Sequence, residues 1–294
     1  MSVKLIRKAA VVTGAGSGIG RSIACQLAAD GYDLTLNDLS AEDECLTGGL
    51  DETASLCQHF GAETIKIRTD ITNRQNMKNL FETTAATFGR LDCCVANAYY
   101  ASRGEFIDQS FEDIKRTVDV SLLGNYSTIQ LAAKTMVSLA KEESTCSTLS
   151  REGNYHKIIV ISSVMGSYPY LIDTNAPYNC SKAALNNLVG SVASSLTKHK
   201  ILINAVAPGW MDTQGERKFN SDWNEVEEQG QKHLPSGLGR AQDIADAVSY
   251  LASNKSNYVN GTVLTVDGGF GISQRVPGLH PPITTPTKEI RREK

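Results

Sequence analysis

Short apolar runs alternate along this chain with longer stretches in which apolar residues recur every three or four positions. The short runs are apolar at consecutive positions, which is typical of strands covered on both faces, and the longer stretches are typical of amphipathic helices. The pattern predicts strands over residues 9–13, 33–37, 64–68, 91–96, 157–162, 201–206 and 262–266. It predicts helices over residues 18–30, 73–88, 111–141, 176–199 and 242–253.

The alternation of strands with helices indicates one layered domain. Repeated strand–helix–strand units predict an α/β fold with a doubly wound parallel sheet of about seven strands and helices on both faces. No Pro- or Gly-rich break divides the chain, so residues 1–272 are predicted to form a single domain. Three segments look like additions to the sheet, at residues 40–50, 141–155 and 273–294. The last segment holds four prolines and is predicted to be an extended or mobile tail.

The composition excludes several classes of partner. Hydrophobic residues make up 41% of the chain and the net charge is −3, so a large core is expected and a basic field for nucleic acid is not. No stretch approaches the roughly 20 apolar residues that span a bilayer, and the first ten residues lack the apolar run of a signal peptide, so a cytoplasmic protein without a membrane partner is predicted. None of the seven cysteines forms a Cys-x-x-Cys pair, so reduced thiols and no metal site are expected.

A glycine-rich turn follows the first predicted strand and opens the first helix. Residues 13–20 read Thr-Gly-Ala-Gly-Ser-Gly-Ile-Gly. Glycines allow a tight turn and let backbone N–H groups approach a pyrophosphate, and the helix N-terminus adds partial positive charge. The context therefore predicts a dinucleotide-binding turn, and the binding candidates are Gly14, Ser17, Gly18, Ile19 and Gly20.

An acidic residue at the end of the second strand bears on the choice of cofactor. Asp38 lies 18 residues beyond Gly20, where a carboxylate accepts hydrogen bonds from an adenosine ribose. A carboxylate there would repel the 2′-phosphate of NADP, and the neighbouring Leu39 supplies no positive charge. Asp38 and Leu39 are therefore predicted to contact the cofactor, and NAD is favoured over NADP.

A tyrosine and a lysine four residues apart are the candidates for proton transfer. Tyr178 and Lys182 lie near the start of a predicted helix, where positions i and i+4 share one face. A phenol with a pKa near ~10 is a poor base at neutral pH. A nearby ammonium and an oxidised nicotinamide are expected to lower that pKa. Ser163 follows a strand and would place a hydroxyl at the same edge of the sheet.

Taken together, these motifs make the sequence closely resemble the short-chain dehydrogenase/reductase family over residues 9–272. The glycine turn, Ser163, Tyr178 and Lys182 match the family's motifs, as does the Val-Asp-Gly-Gly stretch at residues 266–269. The resemblance adds further cofactor-binding candidates: Asp70 and Ile71 beside adenine, Asn97 and Ala98 at a strand end, and Pro208, Gly209, Met211 and Thr213 in the loop that holds the nicotinamide carboxamide.

The resemblance also implies a fold, a mechanism and an assembly. It implies a Rossmann fold, a loop at residues 214–236 over the substrate pocket, and a homotetramer or homodimer acting on a small molecule. Ser163 would bind the substrate oxygen and Tyr178 would exchange its proton. Lys182 would bind the nicotinamide ribose while hydride passes between the substrate carbon and nicotinamide.

Two positions depart from the family's pattern. Ser121 stands where the family usually has an asparagine whose backbone carbonyl holds a water that contacts the lysine. Serine keeps that carbonyl, so Ser121 is placed in the catalytic set. Tyr99 replaces a glycine beside the cofactor cleft, where it is expected to narrow the cleft or contact substrate.

Three functions remain open from the sequence. The first is an NAD(P)-dependent dehydrogenase of a secondary alcohol, polyol or sugar, favoured because residues 210–219 resemble glucose 1-dehydrogenase-like members. The second is a carbonyl reductase of a 3-oxoacyl thioester or a secondary-metabolite ketone. Acidic residues at 216, 225, 227 and 228 argue against a carrier-protein partner for it. The third is a non-catalytic NAD-sensing protein, which would not need the tyrosine–lysine pair.

Overall fold

The computed structural model describes residues 7–39, 49–144, 155–168, 175–219, 223–234 and 237–273. The predicted tail beyond residue 273 and most of the predicted additions at 40–50 and 141–155 lie outside these ranges. Within the described ranges, no helix is both long enough and apolar enough to cross a membrane.

A seven-stranded parallel sheet organises the fold, as the sequence predicts. Its strand order is β3-β2-β1-β4-β5-β6-β9, so the chain winds outward in one direction from β1 and in the other from β4. Its strands are β1 Lys8–Thr13, β2 Tyr32–Asp38, β3 Thr64–Arg68, β4 Cys93–Ala96, β5 His156–Ile161, β6 Ile201–Pro208 and β9 Val263–Val266. The short strands β7 Met211–Asp212 and β8 Gly239–Arg240 form a separate pair.

Helices cover both faces of the sheet. The apolar layer on one face packs against α1, α2 and α9, and the layer on the other face packs against α3, α5 and α6. Val11 and Val12 point into opposite layers, which explains why the strands are apolar at consecutive positions. The helices are α1 Gly18–Ala29, α2 Gly49–Gln58, α3 Arg74–Phe88, α4 Phe111–Val118, α5 Asn125–Ser144, α6 Ala176–Thr197, α7 Gln214–Phe219, α8 Trp223–His233, α9 Ala241–Ala252 and α10 Phe270–Ser273.

The single helix predicted over residues 111–141 is wrong. A π-helical turn at Asp119–Gly124 separates α4 from α5. Gly124 lies so close to Ile71 that a Cβ would stand 2.7 Å from the isoleucine side chain, and Asn125 Nδ2 donates to the Ala98 carbonyl at 2.9 Å. These two contacts fix the turn against neighbouring segments, and the apolar period continues through it, so the sequence pattern did not reveal it.

The sequence pattern also missed α2, α7 and α8. The first is only ten residues long and follows a polar segment, so its apolar stripe is short. The other two lie within the predicted substrate loop at residues 214–236. These elements matter for function because α2 supports the glycine turn and α7 contributes to the cavity described next.

Candidate active site

The glycine turn between β1 and α1 is built from positions that only glycine fills without strain. Gly14 and Gly18 have φ of +65° and +51°, in the left-handed region. A Cβ on Gly20 would lie 1.9 Å from the Gly14 carbonyl oxygen. The Ser17 side chain does not cap α1, and the first turn of the helix holds no acidic residue. The N-terminus of α1 is therefore suited to an anionic group.

Strand β4 is tied to this turn through Asn97. Its Nδ2 donates to the Thr13 carbonyl at 2.8 Å and to the Gly14 carbonyl at 3.2 Å. Its backbone N–H, and that of Ala98, donate to the Thr13 hydroxyl at 3.0 and 3.2 Å. The predicted Asn97–Ala98 pair thus fixes the turn as well as lining the space beside it.

Helix α2 supports the turn from behind. Arg21 on α1 donates to the Gly16 carbonyl at 2.6 Å and forms an ion pair at 2.8 Å with Glu52 on α2. The Thr53 hydroxyl donates to the Ala15 carbonyl at 2.9 Å. The polar face of α2 therefore shapes the glycine turn.

Asp38 lies beside the turn, as predicted. Its Oδ2 accepts the Gly16 N–H at 2.7 Å, and its Oδ1 accepts the Leu39 N–H at 2.7 Å. A Cβ on Gly16 would stand 2.6 Å from Oδ2, so the carboxylate can occupy this position only because residue 16 has no side chain. The half-buried carboxylate faces the same cavity as the turn.

Two buried oxygens near Asp38 indicate that this end of the cavity takes a polar ligand. Asn37 Oδ1 and Thr69 Oγ1 have no hydrogen-bond partner among the described residues, and both residues line the cavity. Buried polar atoms are nearly always hydrogen-bonded in folded proteins. Hydroxyl and amino groups of an adenosine would supply the missing partners, so the residues present fit a dinucleotide cofactor.

All the predicted cofactor-binding residues line one cavity of about 540 Å³ at the carboxyl edge of the sheet. Ser163, Tyr178 and Lys182 line the same cavity. The cavity opens at the point where the strand order reverses between β1 and β4, the usual place for ligands in doubly wound sheets.

The loop after β6, which the resemblance predicts to hold nicotinamide, is fixed by the Val-Asp-Gly-Gly stretch. The Gly209 N–H donates to the Val266 carbonyl at 3.0 Å, and a Cβ on Gly209 would lie 2.4 Å from the Asp267 Cβ. Thr213 then accepts the Glu216 N–H at 3.3 Å at the start of α7. These contacts direct Pro208, Gly209, Met211 and Thr213 toward the cavity.

Lys182 is fixed in the wall of the cavity. Its side chain is buried, Nζ donates to the Ile161 carbonyl at 2.7 Å, and Nζ lies 5.3 Å from the Tyr178 ring centroid. Burial disfavours the ammonium and lowers the pKa of Lys182 to about 7. The lysine therefore lies beside the phenol, as the helical spacing predicts.

The pKa of Tyr178 shifts in the direction opposite to the one expected. Burial raises the pKa of the phenol above its usual value, the neighbouring Tyr99 raises it further, and a hydrogen bond with Ser163 lowers it. Burial outweighs the other influences, so the phenol is protonated at neutral pH. The motif alone could not reveal how deeply the hydroxyl lies.

Tyr99 forms part of the wall opposite Lys182. Its ring meets the Tyr178 ring edge-on, with centroids 5.9 Å apart at 65°, and Lys182 Nζ lies 5.9 Å from its centroid. A Cβ on Gly215 would stand 3.2 Å from the Tyr99 hydroxyl, so the side chain reaches from Tyr178 to α7. The expectation that Tyr99 narrows the cleft agrees with this position.

An ion pair that the sequence analysis missed joins the two sides of the cavity. Arg103, in the segment after β4, donates from Nη2 to both carboxylate oxygens of Glu216 on α7, at 3.0 and 2.9 Å. Both residues line the cavity. The two residues lie 113 positions apart, and no sequence motif links them.

Ser121 does not line the cavity. It is fully buried in the π-helical turn, where its hydroxyl donates to the Tyr100 carbonyl at 2.6 Å and accepts the Tyr100 N–H at 2.9 Å. Its carbonyl accepts from Asn125 Nδ2 at 3.2 Å. The side chain thus holds the backbone next to Tyr99, and a catalytic role for Ser121 stays a prediction.

Comparisons with known proteins identify the family of this chain. The profile of the family described as enoyl-(acyl carrier protein) reductase matches residues 14–271. The chain is 30% identical over 267 residues to L-rhamnose 1-dehydrogenase (NAD(P)(+)) of Sphingomonas sp. (strain SKA58), across 90% of this chain and 97% of the relative. It is 32% identical over 269 residues to (3R)-3-hydroxyacyl-CoA dehydrogenase of Rattus norvegicus, across 88% and 95%.

A solved structure extends the comparison to the fold. Acetoin dehydrogenase YohF from Salmonella typhimurium superposes with a TM-score of 0.74 at 31% identity, over 90% of this chain and 96% of that chain. The relative from Sphingomonas and this structure each match 90% of the chain, so they confirm the resemblance inferred from the motifs. The chain therefore belongs to the short-chain dehydrogenase/reductase family and is an NAD(P)-dependent oxidoreductase.

Proposed function

We propose that this protein interconverts a neutral secondary alcohol, polyol or sugar and its carbonyl form, with NAD as the preferred cofactor and Tyr178 as the acid and base. One observation carries the proposal: Ser163, Tyr178 and the buried Lys182 line one cavity whose other end is the glycine turn. A substrate oxygen that enters between the two hydroxyls meets two hydrogen-bond donors.

The chain's own residues supply binding and proton transfer. Ser163 donates a hydrogen bond to the substrate oxygen. The Tyr178 phenol gives its proton to that oxygen in reduction and takes it back in oxidation. Lys182, fixed by the Ile161 carbonyl, places a positive charge beside the phenol when protonated. The nicotinamide cofactor, when bound, supplies or accepts the hydride.

Neutral substrates are favoured by the Arg103–Glu216 pair. The Arg103 guanidinium lines the cavity and is already neutralised by the Glu216 carboxylate, which it holds through two hydrogen bonds. A carboxylate or phosphate on the substrate that bound Arg103 would displace Glu216 and leave that acid without its partner. The pair therefore argues for sugars, polyols and simple alcohols over substrates with a charge at Arg103.

Reduction of a neutral ketone is the second candidate for the physiological direction. The raised pKa of Tyr178 keeps the phenol protonated, which is the form that reduction requires. The rat relative named for a 3-hydroxyacyl-CoA makes thioesters a necessary comparison. Turnover of secondary alcohols, sugars, ketones and an acyl thioester, each with both cofactors, tests the proposal. A marked preference for the thioester would overturn the neutral-substrate assignment.

Asp38 is expected to set the cofactor preference. The unmodified protein should have a higher kcat/KM with NAD than with NADP, because the carboxylate repels a 2′-phosphate and accepts bonds from the ribose. Combining Asp38→Ala with Leu39→Arg should move the preference toward NADP by roughly 10-fold or more, the effect of exchanging one repulsive for one attractive charge contact. Steady-state kinetics with both cofactors measure this ratio.

Asp246→Ala is the matched control for that experiment. Asp246 lies on α9, outside the cavity wall, and should leave the ratio unchanged. A natural preference for NADP, or a double variant with an unaltered ratio, would contradict the role given to Asp38.

We also propose that the protein assembles as a homotetramer or homodimer. Three large apolar side chains on the stretch from α4 to α5 support this: Phe111 is 73% exposed, Leu123 55% and Tyr126 45%. Pairing of these helices with a second copy would cover them. Light scattering over a range of concentrations should give the mass of a dimer or tetramer, whereas a stable monomer at high concentration would oppose the proposal.

A further inference from the structure

Asn175 is a buried amide that the roles described so far do not use. It is the N-cap residue of α6, is 4% exposed and lines the cavity together with Ser163 and Tyr178. Within the described part of the chain, its Oδ1 has no hydrogen-bond partner. A buried amide oxygen without a partner is costly, so its position on the cavity wall points to a partner that arrives with a ligand.

Asn175 does not cap α6 with its side chain, which is the usual role of an asparagine at the N-cap. An N-cap asparagine normally accepts a hydrogen bond from the first turn of its helix, but the Asn175 side chain makes no such bond. Its backbone lies at φ −130° and ψ 32°, and Pro177 in the first turn has no N–H to be capped. The Asn175 side chain therefore makes no bond to the first turn of α6.

None of the donors on the cavity wall bonds this oxygen in the described structure. Lys182 Nζ donates to the Ile161 carbonyl, and Arg103 is paired with Glu216. A ligand group that donates to Asn175 Oδ1 would satisfy the oxygen, and a hydroxyl suits an amide because it both donates and accepts.

We propose that Asn175 binds a second hydroxyl group of the substrate, so that the site selects diols, polyols or sugars over mono-alcohols. This inference rests on the proposed function, because it concerns the same cavity. The second hydroxyl is unchanged by the reaction and therefore meets the same amide in substrate and product. A cofactor hydroxyl is the other possible source of the donor, and the experiment below separates the two.

The test compares a vicinal diol with a mono-alcohol of the same carbon skeleton, in the full-length protein with saturating NAD⁺. We expect the unmodified protein to favour the diol in kcat/KM. Asn175→Leu, which keeps the size of the side chain but removes its polar atoms, should lower the diol-to-mono-alcohol ratio by about 10- to 100-fold, the range for one buried hydrogen bond. Most of the loss should appear in KM for the diol, because the contact is equal in ground and transition states.

Asn179→Leu is the matched control. Asn179 is a similarly buried asparagine on the same helix, 5% exposed, but it does not line the cavity. Its substitution should leave the ratio at the unmodified value even if it lowers the melting temperature. Should Asn175→Leu fail to fold, Asn175→Ala gives the same readout with a smaller side chain.

The outcomes distinguish this inference from the proposed function. An unchanged ratio in Asn175→Leu, in a protein that still oxidises both alcohols, overturns the role of Asn175 and leaves the proposed function standing. A loss of NADH affinity with no change in ratio also overturns it, because the donor then belongs to the cofactor. Absence of turnover with either alcohol in the unmodified protein would instead count against the proposed function.

Discussion

The Tyr178→Phe variant is expected to lose about 100-fold or more in kcat, the scale of general acid–base catalysis, and still bind NADH. The substitution removes the phenol hydroxyl and keeps the ring that packs edge-on against Tyr99. The wall of the cavity therefore keeps its shape, and only the proton carrier is lost. Steady-state kinetics measure the loss, and fluorescence titration with NADH measures binding.

The pH dependence supplies an independent check on the same residue. Reduction requires the protonated phenol, so its rate should fall as pH rises through the pKa of Tyr178 in the complex. Oxidation requires the phenolate, so its rate should rise over the same range. Burial raises the pKa of Tyr178, so the phenol is still protonated above neutral pH. Burial also lowers the pKa of Lys182 to about 7, so the lysine loses its positive charge as the pH rises through that value. Tyr178→Phe should lose both pH dependences.

Tyr250→Phe is a suitable control for the loss of a phenol hydroxyl. Tyr250 lies on α9, is 43% exposed and does not line the cavity, so its substitution should be silent. Near-normal turnover in Tyr178→Phe would remove this tyrosine from the mechanism, whatever the control shows.

The Gly20→Ala variant is expected to lose most of its affinity for NADH. A Cβ at this position would lie 1.9 Å from the Gly14 carbonyl oxygen and 2.7 Å from Asn97 Nδ2, so the turn and the end of β4 must move apart. Overpacking of this kind costs about 2–3 kcal/mol, which corresponds to about 30- to 150-fold in the dissociation constant if the strain falls on the binding turn. Fluorescence titration measures the affinity, and far-UV circular dichroism shows whether the sheet persists.

Gly104→Ala separates steric overlap from the general effect of replacing a glycine. The nearest atom to a Cβ there is Gln109 Cγ at 3.6 Å, which is an ordinary contact, and Gly104 does not line the cavity. This variant should bind NADH normally. Undiminished NADH binding by a folded Gly20→Ala protein would show that the turn does not hold the cofactor as described.

The sheet and the cofactor end of the site could be predicted from the sequence because their signals are local. Consecutive apolar residues such as Val11 and Val12 indicate a strand buried on both faces, and the turn after them needs glycine for steric reasons that do not depend on distant segments. Asp38 could be placed because the length of one strand–helix–strand unit fixes its distance from Gly20.

The substrate end was less predictable because its contacts join distant segments. Arg103 and Glu216 are ordinary charged residues until the fold brings them together. Asn175 before Ala-Pro looks like a normal helix cap in the sequence. Only the structure shows that its side chain makes no capping hydrogen bond and that its Oδ1 is buried without a partner among the described residues. The pKa of Tyr178 was expected to fall because the motif shows the lysine but not the depth of the phenol.

The most direct test of the central claim is transfer of deuterium from a secondary alcohol labelled at its carbinol carbon. We expect the purified protein, mixed with NAD⁺ and a labelled vicinal diol, to form ketone and deuterated reduced nicotinamide in equal amounts, as measured by mass spectrometry. Tyr178→Phe should form both far more slowly. A protein that binds NADH tightly but transfers no deuterium from any neutral alcohol or sugar in the panel would contradict the account and indicate a non-catalytic NAD-binding protein.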